Sequence, residues 1–149
     1  MADPRPVAIL AMLVAVAGHC ALSAVAVERL AALARSHGPA DRVTAARADL
    51  HTSFPPGAFD LACAHHLRAA FELDRAAVLR AAAHALRPGG RLLVVDHGSA
   101  APWSWNQEPG VRYPSPREVA AGIGLPPRTW AVQRADAPRR PGPEATTGR

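Results

Sequence analysis

LRPGGRLLVVDHG, residues 86–98, carries the clearest fold signal in the chain. A leucine and an arginine run into Pro88-Gly89-Gly90. That predicts a helix end, because proline cannot continue a helix and glycine favours the position just past it. Leu92-Leu93-Val94-Val95 follows without a polar interruption. Such a run predicts a strand covered on both faces, as in a parallel sheet. Asp96 and His97 then stand at its carboxyl end, the side on which open α/β sheets bind ligands.

The residues before this stretch predict a helix. Asp74 is a good N-cap, and Leu73 is placed to staple onto Val78. RAAVLRAAAHAL (75–86) turns Val78, Leu79, Ala82 and Leu86 inward. FDLACAHHL (59–67) predicts a buried strand in which Cys63 is a small core residue. HTSFPPGA (51–58) is a loop, since Pro-Pro-Gly suits neither a helix nor a central strand. RVTAARADL (42–50) predicts a short strand. Ser23 caps a helix that Gly38-Pro39 ends. Val27, Leu30 and Ala34 share one face of it, with Val25 and Leu33 alongside. Helix, strand, strand, helix, strand in that order predicts an α/β layer architecture.

Downstream, residues 99–114 read as loop. SPREV (115–119) is a capping box, with Ser115 as cap, Pro116 at the first helical position and Glu118 reaching back. The helix is short and stops around Gly122–Gly124. RTWAVQRA (128–135) is a candidate last strand. The expected organisation is one α/β domain over 1–135, with 1–20 an atypical apolar segment, and a disordered Pro- and Arg-rich tail over 136–149.

A chain of 149 residues with 49% apolar content can bury a core within one domain. Aromatic residues are few, so small aliphatic side chains must build it. All 17 basic residues are arginine. They are scattered through the body and cluster only in the tail without a base-stacking platform, so nucleic acid is not an expected partner. Cys20 and Cys63 have no disulfide or metal spacing, which suits a reducing, cytoplasmic setting.

VAILAMLVAVA (7–17) is uncharged. As a helix it would reach about 16 Å, against a hydrocarbon core of roughly 30 Å. Extended to Val27 it would be long enough, although Gly18, His19 and Ser23 interrupt it. AVA (24–26) resembles a signal cleavage site, but MADPRP is a poor basic leader. Strand, helix, signal and anchor all stay open for 7–27, with membrane association the less favoured outcome.

RADL (47–50) after a strand, FDL (59–61) opening the next, and LRPGG before LLVVD together resemble the class I S-adenosylmethionine-dependent methyltransferase family. The likeness spans roughly residues 21–135. It implies a Rossmann-like, mostly parallel sheet flanked by helices, S-adenosylmethionine as cofactor, and a small-molecule acceptor. By the same resemblance Asp49 accepts a hydrogen bond from the adenine amino group, and Leu50 offers its backbone N–H to the ring. Ala64 and His65 line the methyl-donor pocket. His66 and His97 are the candidate catalytic residues, as a general base for a hydroxyl or amine, and Asp96 is placed to face the substrate. No metal is expected, because neighbours on a strand point to opposite faces and few of these side chains could converge.

The sequence also departs from the family. Its acid followed by a glycine-rich turn is not found: Gly18 is the only glycine before residue 38. The acid that binds the ribose hydroxyls would fall at Ala21. The resemblance therefore implies a truncated methyltransferase fold, N-terminally incomplete, lacking the first strand and its loop and without a last strand after 136. Three functions follow as expectations: an active enzyme; a non-catalytic remnant or partner subunit, pairing as a homo- or hetero-oligomer through an exposed sheet edge; and a small membrane-associated or exported protein.

Overall fold

The computed structural model describes residues 9–13, 24–38, 41, 43–46, 48, 50, 54–67, 73–100 and 112–138. They belong to two units, one within 1–97 and one within 98–149. The first contains β1 (Ile9–Leu13), α1 (Ala24–Ser36), β2 (Phe59–His65), α2 (Arg75–His84) and β3 (Leu86–Val95). The second contains α3 (Pro116–Ile123).

The three strands form one parallel sheet in the order β1-β2-β3. Leu13 and Val95 both pair with His65, so all three strands end at one edge. The apolar run at 7–17 is thus, over 9–13, a strand of the sheet. This corrects the expectation that the first strand is missing. In the 3-2-1-4-5-6 order of Rossmann-type sheets the first strand adjoins the fourth. Here Ile9–Leu13 adjoins Phe59–His65. Among the described residues no helix is long and apolar enough to cross a membrane.

The core forms where α2 packs on β2 and β3. Asp74 caps α2 as expected, its Oδ1 accepting from the Ala77 N–H at 2.9 Å. Val78, Leu79, Ala82 and Ala83 are buried, as are Ala62, Cys63 and Ala64 on β2 and Leu67 just beyond it. Alanines at the contact let helix and sheet approach closely, which suits a chain poor in aromatics.

Pro88-Gly89-Gly90 does not end α2, contrary to the sequence reading. The helix stops at His84, and Ala85 already accepts from the Phe59 N–H at 2.9 Å. Leu86 is therefore a strand residue, paired with Phe59, rather than a helical core residue. The next pair is Leu61 with Arg91, so residues 87–90 bulge opposite Asp60 alone. Gly89 supplies a φ of +82°, and a Cβ at Gly90 would lie 2.9 Å from the Arg87 carbonyl oxygen. Arg87 and Asp60 close the bulge with an ion pair at 2.9 Å.

Three other expectations change. Residues 43–46 pair with no strand. Alanine is a poor strand former, and Val43 is exposed. Residues 130–138 form no strand either; Val132 is exposed and only Trp130 and Ala135 are half-buried. The sheet is not covered on both faces throughout, because Leu93, opposite the buried Cys63, is 45% exposed. On α1, Ala34 is buried and Val27 half-buried, but Leu30 and Leu33 are exposed. No other helix or strand among the described residues packs on α1.

In the second unit both ends of α3 match the sequence reading. The Ser115 N–H donates to Glu118 Oε2 at 2.7 Å, and the Glu118 N–H donates to Ser115 Oγ at 3.3 Å. Gly124 closes the helix with a φ of 71°. The expected tail beyond 138 lies outside the described residues.

Candidate functional site

The carboxyl edge of the sheet gathers three histidines and one half-buried acid. His65 is the last residue of β2 and is exposed. His66 follows with a φ of 50°, the left-handed region. Histidine enters that region more readily than most residues, but it still costs energy unless surrounding contacts impose it. Here the His66 N–H donates to the Val95 carbonyl at 2.8 Å, which carries the β2–β3 pairing one step past the strand. The turn brings the His66 ring onto that of His97, with centroids 4.2 Å apart and planes 20° from parallel. His97 is exposed and His66 half-buried.

Asp96, between Val95 and His97, turns inward. Its side chain is 12% exposed, and its Oδ2 accepts from Nη2 of Arg75, the first residue of α2. A carboxylate largely shielded from water gains from such a partner, since desolvating an isolated charge is costly. Asp96 Oδ1 and Arg75 Nε are buried and form no hydrogen bond among the described residues. Among the described residues no group of three or more His, Cys, Asp or Glu side chains is placed to hold a metal ion.

His66 and His97 come together. Ala64 is fully buried on β2, and His65 stands beside it at the edge. Leu50 is half-buried in a turn, and Asp49 and Ala21 lie outside the described residues. Sequence reasoning missed Arg75. Its one local sign is its place, since a cation in the first turn opposes the helix dipole and needs a partner elsewhere.

A family model described as a methyltransferase domain matches residues 8–94, more than half of the chain. It covers β1 through nearly all of β3. No curated protein and no solved structure matches the chain.

Proposed function

The chain belongs to the class I S-adenosylmethionine-dependent methyltransferase family, and from that premise we propose that it transfers a methyl group from S-adenosylmethionine to a small-molecule acceptor at the carboxyl edge of β1, β2 and β3. The observation that carries this reading is the stacked His66–His97 pair at the edge where open parallel sheets take their ligands. The charge pattern there fits the cofactor, which is itself a cation. The Arg75 guanidinium at this edge is neutralised by Asp96. Asp49 and Leu50 would hold the adenine, and Ala64 and His65 the donor side of the pocket. Bound there, S-adenosylmethionine supplies an electrophilic methyl group on a positively charged sulfur.

The chain's own residues act on the acceptor. A hydroxyl or amine must lose a proton as it takes the methyl group, and a positioned imidazole nitrogen is a suitable base. His97 is the exposed member of the pair and receives that proton; His66 orients it by stacking. The setting for this activity is the cytoplasm.

A second reading, a non-catalytic domain serving a partner subunit, is favoured by the segment between β1 and α1. Gly18 is its only glycine, and Ala21 stands where the ribose-binding acid would be. Calorimetric titration with S-adenosylmethionine separates the two readings. Binding by the wild type, weakened in Asp49→Ala without loss of thermal stability, supports the enzyme. One hydrogen bond to a charged acceptor contributes about 1.5–3 kcal/mol, which is roughly a ten- to hundredfold change in Kd. No heat from the folded wild-type protein would favour the partner subunit.

A further inference from the structure

We propose that Arg75 is the positioning residue of the His66–His97 pair, acting through Asp96. This rests on the reading of those histidines as the acceptor-side pair, but its evidence is geometric. Three consecutive residues at the end of β3 tie this edge together. The Val95 carbonyl accepts the His66 N–H at 2.8 Å. The Asp96 carboxylate is held by Arg75. The His97 ring lies on the His66 ring. Asp96 is the middle of the three and the only one anchored to a helix. Fixing it fixes the backbone from which both contacts to His66 are made.

The placement of Arg75 supports this role. It opens α2, where the positive end of the helix dipole disfavours a cation. Asp74 already caps the helix, so the guanidinium adds nothing to helix initiation. Its burial is compensated by Asp96, 21 residues along the chain. The contact is a single Nη2–Oδ2 interaction, and Asp96 Oδ1 and Arg75 Nε keep no partner among the described residues. A point charge at this position can therefore replace the guanidinium, so lysine should substitute in part. Without the anchor, the Asp96 carboxylate would turn toward water. His97 would then swing off His66, and the left-handed turn at His66 would lose the stacking contact.

The test reads the ring contact directly, in the full-length protein without cofactor. The wild type should give a nuclear Overhauser cross peak between the ring protons of His66 and His97. Arg75→Met should abolish it while the amide resonances of Leu61–Ala64 keep their positions, and Arg75→Lys should restore it. A mere clamp between α2 and the sheet would instead disturb the α2 amides and leave the ring cross peak intact. If Arg75→Met does not fold, the near-isosteric Asp96→Asn removes the carboxylate charge and should lose the same cross peak. A cross peak of wild-type intensity in either folded variant overturns the proposal, as does its absence from the wild type. Because the spectra need no S-adenosylmethionine, failure of the cofactor to bind would leave this result standing on its own.

Discussion

Cys63 lies in the middle of β2, between Ala62 and Ala64, and burial pushes its thiol above the usual range. The thiolate is the reactive form, so a buried, protonated thiol is inert. In a Cys20→Ser background, Cys63 should resist a thiol reagent at neutral pH until denaturant unfolds the domain. Rapid modification of the folded protein would contradict this. Cys63 was legible as a core residue because an apolar strand pattern surrounds it. The His66–His97 contact was not, for it depends on one left-handed residue and on pairing 31 positions apart along the chain. Arg75 was missed for the same reason, since its partner is remote in sequence.

The elements divide by how local their determinants are. Both ends of α3 could be read directly, because a capping box and a glycine stop act within a few residues. The capping Glu118 is held below the usual carboxylate range, first by the Ser115 backbone N–H, then by the Ser115 side chain and the nearby Arg112 guanidinium. A depressed folded-state value means its contribution is present above the ordinary glutamate range and is lost as pH falls through the lowered value. The Ser115 amide resonance should therefore titrate with a midpoint below the ordinary glutamate range. A midpoint within or above that range would contradict the capping box.

The α2–β3 boundary was misread because Pro-Gly-Gly suits a bulge as well as a helix stop, and only the pairing of Leu86 with Phe59 decides between them. Gly89→Ala should destabilise the domain by about 1 kcal/mol through its positive φ. Chemical denaturation measures this, and an unchanged midpoint would show that the bulge relaxes. Leu79→Ala, at the 1% exposed centre of α2, should cost about 2–5 kcal/mol in the same experiment. A loss below that range would mean the alanine-rich contact closes around the gap. Residues 43–46 and 130–135 were overstated as strands, because they carry too little buried apolar area to hold one.

At the scale of the molecule, the parallel order β1-β2-β3 and the shared carboxyl edge follow from three apolar strands, of which β2 and β3 pack under α2 and β1 pairs with β2. The family was legible because RADL, FDL and LRPGG keep its spacing, and the domain match over 8–94 agrees. The first strand was not legible. Its family mark is the glycine loop, and Ile9–Leu13 shows its place only through its pairing with Phe59–His65. The proposed activity requires S-adenosylmethionine and its acceptor to meet at this carboxyl edge. The most direct measurement is an amide correlation spectrum of the labelled protein with S-adenosylmethionine added. The amides of Ala64, His65, His66, Asp96 and His97 should shift, while Asp60 and Gly89, at the opposite edge, stay in place. No shift at the carboxyl edge, or shifts centred on Asp60 and the bulge, would contradict the account.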